Sequence, residues 1–394
     1  MNNITRTARQ DGIIDYWEAE TGHTGCVTAA TGFGKTNILM KAARLCNENN
    51  ADNSIIIIVP SIVLKDKTEK NLEDWEIKNA KVYVINTAIT IELKCFLLLL
   101  DEVHRYKSNE FGKIFETVNY SWLLAVTATL PAEKADKVNL YCPVFDDVSL
   151  AECLENKWVS PFVIANYRIP LRGNAKAVYE SIHSDYIKTF KIFKFDYTIA
   201  MGCLTNKKLR EDYAIELGVN PSLLFLRAKK FNDLVSARKK FLYENDDKIR
   251  AILEIVSTLN KKAIIFSLTK AMANRIAIAV GGRAYHSGLS AKVNKDALEK
   301  FETGEIKYLS VGKALDEGAD IPDIELAIIN ANTSSPIQLI QRVGRVIRVA
   351  EKKKAIVVVL IMKDTQEEKW TKTSQAAATG IIEIESIEDL KLYA

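Results

Sequence analysis

The sequence contains no apolar run approaching the roughly 18 residues that a membrane-crossing helix requires. Its opening stretch, MNNITRTARQDG, is polar and lacks the apolar centre of a secretory leader. These absences lead us to expect a soluble protein with no membrane contact, cytoplasmic, or in the host cytoplasm if phage-encoded. Histidine is scarce, at four residues, and the six cysteines (26, 46, 95, 142, 153 and 203) form no Cys-x-x-Cys pair. Neither a zinc centre nor a disulfide framework is supported, so the cysteines are expected to be reduced and structural. No internal repeat is visible. The composition, 48% hydrophobic and 26% charged, excludes a disordered or fibrous chain. A length of 394 residues suits two domains of ordinary size with a small insert.

The net charge of +4 is mild but unevenly spread, since residues 166–250 hold 17 Lys/Arg against 10 Asp/Glu. A basic middle segment is the electrostatic footprint of a polyanionic partner, although a solvated helix face looks the same. On either side of it the pattern is α/β. SIIIIVP (54–60), KVYVIN (81–86), FLLLLDE (96–102) and WLLAVTAT (122–129) are short apolar runs ending in polar residues, as buried parallel strands do. KAIIFSL (262–268), RAYHSG (283–288), IKYLSVG (306–312), IELAIIN (324–330) and AIVVVLIM (355–362) repeat that grammar. Amphipathic helical stretches separate them, so two doubly wound α/β domains are expected, at 1–165 and 246–394. Residues 166–245 read instead as a basic helical connector or thumb-like insert, interrupted at Gly218-Val-Asn-Pro221. Its Tyr and Phe residues read first as packing residues and second as base-stacking platforms.

Function is expected at the strand ends. TAATGFGKTN (28–37) fits a turn whose backbone N–H groups converge on phosphate oxygens at a helix N-terminus. Thr31, Gly32, Gly34, Lys35 and Thr36 are its candidate ligands: the glycines permit close approach, Lys35 reaches the outer phosphates, and the Thr36 hydroxyl suits magnesium. Ala29 stands where the general phosphate-loop pattern has its first glycine. In FLLLLDEVH, Asp101 and Glu102 close a hydrophobic strand, where one carboxylate can hold magnesium and the next can orient or deprotonate water. Far downstream, IQLIQRVGRVIRV aligns Arg342, Arg345 and Arg348 along one side of a helix, as a cationic finger for phosphoryl transfer would require.

Taken together, these motifs resemble superfamily 2 helicases and translocases. AATGFGKT is similar to their motif I, where alanine commonly replaces the first glycine, and DEVH to motif II. VTATLP (126–131), IIFSLTKAMAN, ALDEGADIPD (314–323) and QRVGRVIR (341–348) resemble motifs III to VI. The resemblance implies two tandem RecA-like parallel-sheet domains and an ATP- and Mg2+-dependent hydrolase. Lys35 and Thr36 would bind phosphate and metal, Asp101 the metal, and Glu102 would be the base. Gln341 would position water, Arg345 and Arg348 would contact the γ-phosphate, and Gly318 and Asp320 would lie near the ribose. Gln10 would be the adenine-reading glutamine, although Arg9 stands where the family places an aromatic residue.

Within the superfamily, the DEVH box and the run through motif VI look most like XPB-like translocases, phage UvsW-like branch-migration helicases and restriction-enzyme motor subunits. Arg238 and Lys248 fit the Arg and Lys that often end the connector in that branch. Ser61, Lys65, Thr87, Ser267 and Lys270 are the expected nucleic-acid grips. The function expected is movement on duplex or branched DNA, by a monomer with replication or recombination partners. An RNA helicase, a restriction-type motor subunit and a non-enzymatic module with a vestigial nucleotide fold are the alternatives. The compact length is more like that of a phage or mobile-element enzyme.

Overall fold

The computed structural model describes residues 4–106, 108–128, 130, 132–312, 324–331, 355–375 and 380–393. In the first half, β1 (Thr24–Ala29), β2 (Ile55–Val59), β3 (Ala80–Val84), β4 (Leu93–Lys94), β5 (Leu97–Asp101), β6 (Val118–Asn119), β7 (Trp122–Thr127) and β8 (Val144–Val148) follow in sequence. Six of them form a parallel sheet in the order β3-β2-β5-β7-β1-β8, while β4 and β6 make a small separate ladder. All five residues of β2 and all five of β5 are buried. That is why both read as unbroken apolar runs: a parallel sheet covered on both faces leaves no polar side to alternate with. Each such Leu or Ile removes side-chain area from water worth about 1.5–3 kcal/mol.

The second half adds β9 (Phe162–Ile169), β10 (Ala263–Phe266), β11 (Arg283–Tyr285), β12 (Tyr308–Val311), β13 (Leu326–Ile329), β14 (Ala355–Met362) and β15 (Ile381–Ile384). Their order is β11-β12-β10-β13-β14-β9-β15, with every pairing parallel. All nine strands expected from apolar runs are therefore present. β9 was not among them. The domain boundary expected after residue 165 falls inside it, and its eight residues all pair with β14. The reason is chemical: the middle of β9 is Asn-Tyr-Arg, and buried Asn166 is accommodated by hydrogen bonds to Gln375 and Glu383. A polar residue satisfied in this way costs little in a core but erases the apolar signature.

Between the sheets, helices Ala175–Lys191, Tyr197–Thr205, Lys207–Leu217 and Pro221–Tyr243 pack around their own core of Phe193, Ala200, Cys203, Leu224, Ala228 and Phe231. The helical character expected of this segment is present. The cysteines are free and buried, and burial pushes the Cys95 thiol up to about 12. No helix among the described residues is long and apolar enough to cross a membrane.

Candidate active site

β1 and β5 flank β7, and their ends are level: Asp101 is in register with Val126, and Val126 with Val27. The two expected motifs thus emerge on the same edge, about 10 Å apart by strand spacing. After β1 the chain turns through Gly32 and Gly34, both left-handed at φ 93° and 95°. The left-handed φ favours glycine at position 34, and a Cβ there would also press on the amide end of Gln10, 2.8 Å away. The turn feeds helix Lys35–Asn49, whose N-terminus receives no side-chain cap, an arrangement that favours an anion. Thr31 Oγ1, within the turn, is buried and has no hydrogen-bond partner among the described residues. An unmade bond of this kind costs about 1–3 kcal/mol, which a ligand would return.

Lys35 Nζ lies 3.4 Å from the Ala29 carbonyl oxygen and 3.6 Å from Glu102 Oε1. Glu102 follows β5 with a left-handed backbone, φ 51°, which turns its carboxylate toward the loop. Burial pushes its pKa up, but the charge of Lys35 and contacts with His104 and the Ala128 amide outweigh this and hold it at about 2. Glu102 Oε2 accepts from Ala128 N at 3.3 Å and lies 3.2 Å from His104 Nδ1. The same ring nitrogen is 2.7 Å from Thr127 Oγ1. Asp101 and His104 are buried, at 7% and 6% exposure. Lys134 Nζ donates to the carbonyls of His104 and Tyr106, and Tyr106 donates from its hydroxyl to Ile58. His104, Thr127 and Lys134 are residues to which the sequence reading assigned no role. For His104 and Thr127 the signal was that DEVH and TAT end adjacent strands; Lys134, in helix Ala132–Tyr141, carried none.

Gln10 is 2% exposed, and its Nε2 donates to the Phe33 carbonyl at 2.7 Å, bracing the loop from behind. Arg9 is explained by its partners. Its guanidinium forks onto both carboxylate oxygens of Asp146 at 2.7 Å and reaches Glu152 at 3.0 Å. Hydrogen bonding to Asp146 above all raises its pKa, and burial opposes this. A cation here ties the N-terminal helix Arg6–Glu20 to β8. Thr36 is half-buried beside Lys35. Gly318, Asp320, Gln341, Arg345 and Arg348 lie outside the described residues.

Of the expected nucleic-acid grips, Thr87 and Lys270 are exposed and Lys65 is 38% exposed beside Glu69. Ser61 caps helix Ile62–Asp74 by accepting from Leu64 N. Ser267 is interior at 1% exposure, with its hydroxyl unpartnered among the described residues. Arg238 and Lys248 are interior too. Arg238 stacks 3.7 Å over Tyr186, and Lys248 is fully buried against Glu367.

Comparison with known proteins agrees with this geometry. Residues 3–93 match the family model described as type III restriction enzyme, res subunit, and residues 247–350 match the helicase conserved C-terminal domain. The chain is 24% identical over 371 residues to DNA 3'-5' translocase XPB2 of Sulfurisphaera tokodaii, covering 87% of this chain and 79% of that one. It is 31% identical over 137 residues to ATP-dependent DNA helicase fml1 of Schizosaccharomyces pombe, a match spanning 34% of this chain and only 16% of that larger protein. The fold is similar to that of the Pyrococcus furiosus Hef helicase domain, with a TM-score of 0.57 at 16% identity over 93% of this chain and 97% of that one. Two parallel-sheet domains and a phosphate loop facing an Asp-Glu strand end thus accompany matches to a restriction-enzyme res-subunit model and to a helicase C-terminal model, and the chain is similar in sequence to DNA translocases and DNA helicases.

Proposed function

We propose that this protein is an ATP-driven DNA translocase that moves on or remodels duplex or branched DNA. The observation that carries the reading is the facing of Lys35 and Glu102 at 3.6 Å across the two strand ends. It is supported by the relatives, whose names specify DNA translocase and DNA helicase activity.

Lys35 has two anionic options, Glu102 and the phosphates of a nucleotide. When Nζ engages phosphate, Glu102 loses a strong attraction holding its pKa near 2 and becomes a better proton acceptor for an attacking water. His104 and the Ala128 amide keep the carboxylate oriented while this happens. The loop fits an anion: two left-handed glycines, a helix start with no side-chain cap and a Thr31 hydroxyl unpartnered among the described residues converge there. Thr36 and Asp101 are the residues that would hold magnesium, which would neutralise charge on the phosphate oxygens. In this reading Gln10 serves the adenine side, Gly318 and Asp320 the ribose, and Gln341, Arg345 and Arg348 complete the site from the second domain. Opening and closing between the domains would then convert hydrolysis into stepping.

Thr87 and Lys270, exposed just beyond β3 and β10, and Lys65, partly exposed in helix Ile62–Asp74, would supply contacts suited to a phosphate backbone. The protein would act as a cytoplasmic monomer alongside replication or recombination proteins. ATP turnover measured with duplex DNA, forked or four-way DNA, single strands and RNA tests this. The largest stimulation is expected from branched DNA, whereas stimulation by RNA alone, or by no nucleic acid, would overturn the reading.

A further inference from the structure

The helical insert exposes two aromatic rings at one turn, and the construction of that turn is unusual. Between helices Ala175–Lys191 and Tyr197–Thr205 the chain passes through Lys194 and Phe195, both left-handed at φ 53° and 59°. Glycine fills such a place without strain, and a bulky ring there is a rare outlier. The geometry is nevertheless held by closely spaced backbone bonds: Phe193 N and Phe195 N both donate to the Phe190 carbonyl, and Asp196 N to that of Phe193. Phe193 turns into the insert core, while Phe195 and Tyr197 remain 54% and 53% exposed.

Both exposed rings are backed by other rings. Phe190 meets Phe195 edge-on at 5.5 Å, and Phe231 meets Tyr197 edge-on at 6.0 Å. Phe190 and Phe231 themselves stack at 4.8 Å, so the outer pair rests on a rigid inner pair. The charge nearby is available as well. Lys191, one residue after Phe190, is exposed and makes no ion pair among the described residues, whereas Lys194, in the turn itself, is paired with Glu216. Asp196 is committed to capping the next helix through the amides of Thr198 and Ile199. Rigid aromatic faces with exposed, unpaired Lys191 at the end of the preceding helix match a polyanion that also carries flat apolar surfaces, the description of a strand with unstacked bases.

We propose that Phe195 and Tyr197 form a stacking platform for unpaired bases at a DNA junction. The platform gives the insert a preference for forks over continuous duplex. This rests on the DNA reading above, and it assigns the junction contact to the insert instead of the strand-end loops.

The test uses the whole 394-residue chain with Phe195→Ala/Tyr197→Ala, and Phe195→Trp as the ring-retaining control. Binding is followed by anisotropy on forked and fully paired DNA of equal length. A 2-aminopurine at the fork reports stacking by its quenching. For the double alanine variant we expect affinity for the fork to fall about tenfold or more with loss of quenching, while duplex affinity and DNA-free ATP turnover stay at the wild-type level. Phe195→Trp should retain fork binding and quenching. Unchanged fork affinity and quenching in the double variant would overturn the proposal. So would equal losses on fork and duplex, or a change confined to self-association in sedimentation, which would make the rings a protein contact. Wild-type turnover that no DNA stimulates would sink the DNA reading itself, whatever the variants do.

Discussion

The φ of 95° favours glycine at position 34, and the amide end of Gln10 lies 2.8 Å from where a Cβ would stand. Gly34→Ala is therefore expected to displace Gln10 and the loop together. Nucleotide affinity should fall by at least tenfold, with stability reduced by about 1–2 kcal/mol, as read by a fluorescent ATP analogue and thermal melting. Glu102→Gln separates binding from chemistry. It should keep the fold of the strand end and remove the proposed base, so turnover should fall about a hundredfold or more while nucleotide binding persists. Steady-state kinetics alongside analogue binding checks this. The depressed pKa of Glu102 also has a pH signature. Its folded value, about 2, lies below the ordinary 4.5, so its contribution to stability is complete above about pH 4.5 and is lost as pH falls toward 2. Lys35→Met should raise that pKa and shrink the acid-dependent loss, measured by urea unfolding between pH 5 and 2.5.

At the scale of elements, the second sheet is held to its neighbours by a buried ion pair. Lys248, from helix Asp246–Leu259, donates to Glu367 Oε1 and to the Asn330 carbonyl, each at 2.6 Å. Glu367 also accepts from Met362 N at 2.9 Å, so one contact joins the ends of β13 and β14 to two helices. Burial lowers the Lys248 pKa and raises that of Glu367, while each charge opposes the shift of the other. Taking away one partner leaves a bare charge at 0% exposure. Lys248→Ala is thus expected to cost about 3–5 kcal/mol, and Lys248→Met with Glu367→Leu to recover most of it, by equilibrium denaturation. Sequence pattern located β14, yet it placed Lys248 only as the end of a connector. Distance along the chain says nothing about which carboxylate will meet a lysine. β9 shows the same limit from the other side, since Asn166 breaks the apolar run while its partners Gln375 and Glu383 come from the far end of the chain.

For the whole molecule, turnover coupled to DNA should depend on salt, because phosphate contacts release counterions. DNA-stimulated ATP hydrolysis is expected to weaken steeply between 50 and 200 mM salt while DNA-free hydrolysis changes little, and titrations at several salt concentrations check this. The sequence by itself determined the nucleotide chemistry and the parallel-sheet class. A phosphate loop is one contiguous turn, the Asp-Glu pair is one contiguous strand end, and doubly covered strands must be apolar throughout. Only the tertiary structure decided that Glu102 faces Lys35 and is steadied by His104, and that Arg9 serves Asp146 where an aromatic residue was expected. It likewise decided that β9 belongs to the second sheet, and that Ser267, Arg238 and Lys248 turn inward while Phe195 and Tyr197 turn out. Each of these depends on which distant residues shield or satisfy a side chain. Burial and pairing are properties of the packed molecule, and local spacing does not encode them.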